Sequence, residues 1–391
     1  MVENGDGSEK GAVMEQIQIP QVLDVEAVER ELAVLWKDSV GKQGDEDGAL
    51  MRARVANLVI FTSAGSTLDE INEAVHQLSA VHPCRALVMV AERDAADRDI
   101  ELYVSSFSHT DAGRQRLSCE ELVLMAQGKF VRELPSAALP LVVSDLPVFL
   151  WWCDELRDDD RTFYDFRKAA DRLIIDTAES AEPVETLLAV SRMYGDDEFD
   201  SLGISDLNWA RLTSWRSLLA SFYDPPQCKS VLSKIATVVI EYSAPEGAGS
   251  AIAPQALLFA GWLASRLGWQ LSSQSATKSD ATVSFELTAD GRRFTLLLKR
   301  VDRPAMRPGR LARAELTTEG NRAAFVVSRH ESGSPIETEV TIDGVSHPGR
   351  VLPVRNRSKA QLLGRELEII TNDDIYMETV RMAEQMIRLI T

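Results

Sequence analysis

The side chains best suited to chemistry in this sequence are arginines. From Arg292 to Arg313, RRFTLLLKRVDRPAMRPGRLAR sets eight basic residues against one acid, Asp302, in a polypeptide of formal net charge -18. A guanidinium offers its N–H donors in a fixed fork that matches carboxylate and phosphate. Arg303, Arg307, Arg310 and Arg313 therefore read in two ways. They are either a receiver for a sugar phosphate or an acidic protein surface, or a charged edge that keeps a hairpin from pairing with another sheet. A second concentration lies at 206–222, DLNWARLTSWRSLLASF, which places Trp209, Arg211, Trp215 and Arg216 together in a chain of seven tryptophans. Tryptophan and arginine are enriched at interface hot spots, and they equally serve seams between domains.

Two glycine loops are candidate phosphate cradles, because each stands between a strand pattern and a helix start where backbone N–H groups converge. The first is TSAGST at 62–67, where Thr67 and Glu70 have the spacing of a capping box that accounts for the residues by itself. The second is PEGAGSAIAPQ at 245–255, with Gly247, Gly249 and Ser250 as its candidate anion-binding residues. The sequence contains no G-x-x-x-x-G-K-[ST], G-x-G-x-x-G, H-E-x-x-H or G-x-S-x-G. Its five histidines stand apart from one another, and the acidic run RDDDR at 157–161 reads as a solvated loop. These residues assign no catalytic group, no cofactor and no metal.

An excess of 60 acidic over 42 basic residues repels nucleic acid and anionic membranes at long range, so neither is expected as a partner. No stretch approaches the ~20 apolar residues of a membrane span. The opening MVENGDGSEK has neither the basic nor the apolar region of a secretion signal, so a cytoplasmic location is expected. Cys84, Cys119, Cys153 and Cys228 are scattered, with no C-x-x-C spacing, and are expected to be reduced, most of them core fillers.

The length suggests two domains. After a polar, glycine-containing tail over 1–20, which reads as disordered, DVEAVERELAVLW at 24–36 forms an amphipathic helix. VANLVIFT (55–62) and RALVMVA (85–91) are apolar runs fit for strands buried on both faces. IELYVSSFS (100–108) alternates like a strand nearer an edge. CEELVLMAQG, LPVFLWWC and RLIIDTA continue the series. The expectation for 21–180 is thus an α/β domain around a largely parallel sheet with flanking helices. From 181 to 391 the pattern predicts an α+β domain. It has a strand at 233–243, an apolar helix over 253–269, three alternating runs joined by Asp290-Gly291, Glu319-Gly320-Asn321 and Ser332-Gly333 turns, and two closing helices.

Within 206–222, Asp206 is a plausible cap for a single helix whose Trp215, Leu218, Leu219 and Phe222 make one core face. Arg211, four residues before Trp215, is placed to stack along it.

DLNWARLTSWRSLLASFYD resembles the signature helix of the glucose-6-phosphate dehydrogenase assembly proteins, the OpcA family, with their D-L-N-W-x-R-L-T-x-W-R pattern. HPCRALVMV, DLPVFLWW and LLFAGWLASRLGW resemble further stretches of that family in the same order, so the likeness runs from about residue 20 to the end. The resemblance implies a protein without catalysis of its own that binds glucose-6-phosphate dehydrogenase and favours its active oligomer. It implies that the helix bearing Trp209, Arg211, Trp215 and Arg216 and the segment Arg303 to Arg313 contact that partner or hold the contact in shape. Photosynthetic members are associated with thioredoxin control through cysteines near the C-terminus. This chain has none after Cys228, so that control is not expected here. The alternative from another class is a sugar-phosphate or nucleotide-binding enzyme, or a metabolite sensor, that uses a glycine-rich loop.

Overall fold

A computed structural model describes residues 24–41, 54–63, 65–111, 114–157, 159–196, 202–224, 226–244, 252–330, 335–353, 357–369 and 372–390. The chain separates into two compact units. One comprises the described residues of Met1–Ile174 and Ser358–Ile370, the other those of Ile175–Arg357 and Thr371–Thr391. The stretch expected as a disordered tail lies outside the described residues.

The first unit is built on strands in the order Arg98–Asp111, Arg114–Gln127, Cys84–Glu92, Ala56–Thr62, Val148–Trp152, Arg172–Ile175. Neighbours run parallel except the first two, which pair antiparallel. Every residue of Ala56–Thr62 and Val148–Trp152 is buried. That is what continuous apolar runs in a parallel sheet demand, because both faces must be covered. Trp152 lies flat on Phe61 at 4.1 Å between ring centroids and donates its indole N–H to the Glu155 carbonyl. The expected capping box at Thr67 does not form. Thr67 precedes the helix Leu68–Ser79 in near-helical geometry without a side-chain cap bond, and its hydroxyl lies 3.0 Å from that of Thr62. Cys84 and Cys119 sit opposite one another on adjacent parallel strands, 3.7 Å apart at sulfur, and both are free thiols.

The second unit carries a nine-stranded, mostly antiparallel sheet. Its path runs Val345–His347, Ile336–Ile342, Ala323–Arg329, Leu311–Thr318, Ile235–Ser243, Arg292–Val301, Thr282–Ala289, Gln270–Lys278, and Val351–Leu352 pairs with Ile336–Ile342 off that path. Ile235–Ser243 and Arg292–Val301 are the parallel neighbours. Parallel neighbours need a crossover connection, and it includes the helix Pro254–Leu267, apolar enough to bury all but four of its residues. Asp290 and Gly291 adopt φ 49° and 75°, the left-handed pair that a two-residue hairpin turn requires. The Ser332-Gly333 turn lies outside the described residues. Gly203–Asp206 is a short buried strand.

The expected single helix over 206–222 is two. Leu207–Arg211 ends at Leu212, and Thr213–Ser221 begins directly after it. Trp215, Leu218, Leu219 and Phe222 are all buried, as one apolar face should be.

Candidate functional site

Asp206 ends its strand with a buried side chain that has one local job and several distant ones. Its Oδ1 accepts the Asn208 N–H at 2.8 Å, which caps the helix Leu207–Arg211. The same carboxylate accepts the Thr177 N–H at 3.1 Å and the Thr177 hydroxyl at 2.6 Å, while the Tyr376 hydroxyl stands 3.5 Å away. Burial above all, with Asp176 next to it, pushes the Asp206 carboxyl up to about 7 against the pull of these bonds.

Asn208 continues the chain of bonds, donating to the Thr177 hydroxyl at 3.0 Å and accepting from Gln255 Nε2 at 2.8 Å. Gln255 Oε1 in turn accepts the Leu311 N–H at 3.1 Å. One helix start, the loop at 177, the helix Pro254–Leu267 and the first residue of Leu311–Thr318 are thus tied by buried polar groups that satisfy one another.

The two tryptophans of the stretch are buried, at 5% and 1% exposure for Trp209 and Trp215. Trp209 donates Nε1–H to Asp373 Oδ2 at 2.9 Å, and Asp373 also caps the helix Asp374–Arg388 through the Tyr376 N–H. Arg216 lies over the Trp209 ring, 3.3 Å from its centroid. Arg211 does not lie along Trp215. It turns to Asp176 and forms a two-pronged pair at 2.6 and 2.7 Å, because a carboxylate within reach of a largely buried guanidinium outweighs a ring face. The cation over Trp215 is Arg329, at 5.8 Å from the ring centroid.

The basic segment divides. Arg313 belongs to the sheet and pairs with Glu315 two residues on, at 3.0 Å. Arg303 is half-buried, with its carbonyl accepting the Met306 N–H and the Ser243 hydroxyl. Gly309 takes φ 81°, a value only glycine adopts freely, and lets the chain turn so that its N–H reaches the Ser243 carbonyl at 2.7 Å. The Ser243 N–H then bonds the Arg310 carbonyl at 2.8 Å, which fixes the turn on the end of Ile235–Ser243. Arg307 is exposed and Arg310 half-buried. Burial first, then the charges of Arg211, Arg329 and Arg307, press the Arg310 guanidinium down to about 10, with Asp176 opposing.

The structure therefore brings Arg211, Arg307 and Arg310 into one neighbourhood, with Trp209 and Trp215 buried and Arg216 packed on Trp209. Arg329 joins them, a residue that sequence reasoning did not select because nothing local in AAFVVSRH marks it. Gly247, Gly249 and Ser250 lie outside the described residues. Among the described residues no group of three His, Cys, Asp or Glu side chains is placed to hold a metal, and no helix is long and apolar enough to cross a membrane.

Two family models match the chain. One, the N-terminal domain of a glucose-6-phosphate dehydrogenase subunit, matches residues 75–192. The other, the corresponding C-terminal domain, matches residues 202–380. A Synechococcus elongatus protein carrying the name OpcA, provisionally assigned to the OxPP cycle, is 27% identical over 232 residues, 58% of this chain and 50% of its own length. A Synechocystis protein of the same name is 27% identical over 200 residues, 51% of this chain and 40% of its own. The matched stretch thus spans half or less of either relative. Among solved structures, a provisionally titled oxidoreductase of Parabacteroides merdae covers 87% of this chain and 98% of its own at 8% identity, with a TM-score of 0.46, too low to relate the two.

Proposed function

The chain belongs to the OpcA family of glucose-6-phosphate dehydrogenase subunits, and on that premise we propose that it is a non-catalytic cytoplasmic partner that binds glucose-6-phosphate dehydrogenase and favours its active oligomer. The observation that carries this reading is the pair of family matches, which between them take in the Asp206 network and the basic turn. Such a protein acts by binding the active conformer of the enzyme more tightly than the inactive one, since equal affinity for both shifts nothing. The division of labour among its residues fits that role. Trp209, Arg211, Trp215 and Arg216 are bound to other parts of the same unit and hold shape. Arg303, Arg307, Arg310 and Arg313 form the local cationic feature of an acidic chain and contribute the contact or hold it in shape. The remaining acidic excess keeps the protein soluble and steers it toward basic surface.

Mixing the purified chain with the dehydrogenase of the same organism tests this. The expected result is co-elution on a sizing column with a higher rate, or a lower apparent KM for the sugar phosphate. Neither co-elution nor any kinetic change would overturn the reading, as would turnover of a phosphorylated sugar by the chain alone.

A further inference from the structure

The arginines around Leu311 are arranged more tightly than docking to a flat surface requires. Leu311 is held on both sides, its N–H by Gln255 Oε1 at 3.1 Å and its carbonyl by Arg329 Nε at 3.4 Å. Gln255 leads through Asn208 to the helix that carries Arg211, and the turn Arg307 to Arg310 is fixed to Ser243. Three separate elements, each with its backbone anchored, thereby carry Arg211, Arg329, and Arg307 with Arg310, and the charges of the first three act on Arg310. The nearby carboxylate, Asp176, has both oxygens engaged by Arg211. Among the described residues no carboxylate forms an ion pair with Arg310, and Asp176, already held by Arg211, acts on it only through its charge.

Collecting partly desolvated like charges costs free energy. This chain is not short of acids to relieve it, with 60 of them, and elsewhere it pairs a buried arginine fully. Arg85, 1% exposed, bonds Glu120 with Nε and Nη2 and Glu29 with Nη1. A cluster centred on an unneutralised Arg310 in such a chain fits an anion that comes from outside. Arg310 and Arg329 are half-buried while Arg307 is exposed, which suits one small group entering among them better than a broad acidic protein surface. Forks borne on different elements around one charge suit the three or more acceptor oxygens of a tetrahedral dianion.

We propose that Arg310, Arg307, Arg329 and Arg211 form a binding site for a phosphate group, carried as a small phosphate monoester or as free phosphate. Arg310 supplies the unpaired fork at its centre, Arg329 and Arg307 flank it, and Arg211, locked to Asp176, contributes charge. The anion is bound by the chain itself, whether or not a dehydrogenase is present, so failure here leaves the partner reading standing.

The test is calorimetric titration of the whole chain at constant ionic strength with inorganic phosphate, glucose 6-phosphate, uncharged glucose and a polyglutamate peptide. Saturable binding of phosphate or glucose 6-phosphate, with none of glucose, is expected. Tighter binding of glucose 6-phosphate than of phosphate would identify the ester as the ligand, and equal binding the free ion. Arg310→Gln should weaken binding about tenfold or more and Arg307→Gln by less, the loss of one charge-assisted fork. Arg293→Gln, removing an exposed arginine paired with Glu286, should leave binding unchanged. In phosphate-free buffer Arg310→Gln should melt no lower than the parent, because it relieves a like-charge contact. No saturable binding up to about 10 mM, binding of polyglutamate alone, equal affinity in Arg310→Gln, or a lower melting temperature of that variant without anion would each overturn the proposal.

Discussion

Arg211 and Asp176 meet as two parallel bonds, Nη1 to Oδ1 at 2.6 Å and Nη2 to Oδ2 at 2.7 Å, with both side chains about nine-tenths buried. Such a pair gives little net stability over an apolar substitute, but removing one member strands the other without water. Arg211→Ala should therefore lower the unfolding free energy by about 3–5 kcal/mol. Arg211→Lys, which keeps the charge and loses the fork, should cost about 1–3 kcal/mol. Urea unfolding measures both, and a loss under ~1 kcal/mol for Arg211→Ala would mean that the pair is wet in solution.

Trp209 joins two segments far apart in sequence through a single indole bond to Asp373 at 2.9 Å, with Arg216 covering its ring. Trp209→Phe keeps most of the apolar surface and should cost about 1–2 kcal/mol, whereas Trp209→Ala should cost about 3–5 kcal/mol. The bond predicts coupling. In an Asp373→Ala background the Trp209→Phe loss should shrink by about 1 kcal/mol. Strict additivity in the double-mutant cycle would show that the indole and the carboxylate act independently.

What could be read from sequence was local. Asp206 as a cap and Trp215, Leu218, Leu219 and Phe222 as one face follow from neighbours within a few positions, and the structure has both. The break at Leu212 was not legible, since that residue keeps near-helical angles and no glycine or proline marks it. Nor was the partner of Arg211. Asp176 is 35 residues away, and burial made it a stronger attraction than a ring four positions along, in the next helix. Cys84 and Cys119 are likewise 35 residues apart and became neighbours only through parallel register. The arginine run at 292–313 was visible as composition. Its division into Arg313 on the sheet and Arg307 and Arg310 on a turn, with Arg310 under the charges of Arg211 and Arg329, depended on a path that composition does not carry.

Two buried carboxyls give the protein an unusual pH response. Burial raises Asp206 from 3.8 to about 7 and Glu121 from 4.5 to about 7, in the latter case against a bond from Ser105. For each group the folded state holds its proton more tightly than the unfolded chain. Between the unfolded and folded values the native state thus binds more protons, and stability falls as pH rises. These groups favour folding fully below about pH 4 and lose that contribution as pH climbs to about 7. Chemical unfolding from pH 4.5 to 7.5 should show the decline in the parent and a shallower one in Glu121→Gln. A flat or rising profile in the parent, or an identical slope in the variant, would contradict these protonation states.

Gly261 and Gly364 both sit inside helices but face different obstacles. A Cβ on Gly261 would stand 2.6 Å from the Thr379 carbonyl oxygen and 3.3 Å from the Ala383 nitrogen, backbone atoms of the facing helix Asp374–Arg388. On Gly364 its nearest neighbours would be the His82 ring, at 2.9 Å, and a Leu78 methyl at 3.4 Å. A ring can turn aside, whereas a helix backbone must be displaced as a body. Both substitutions gain roughly 0.5–1 kcal/mol of helix propensity. Gly261→Ala must set against this about 1–3 kcal/mol of overpacking and should destabilise. Gly364→Ala should lie near zero or stabilise slightly. Melting temperatures of the two variants decide it, and a Gly364→Ala loss equal to or larger than that of Gly261→Ala would show that the 254–267 and 374–388 helices do not approach this closely.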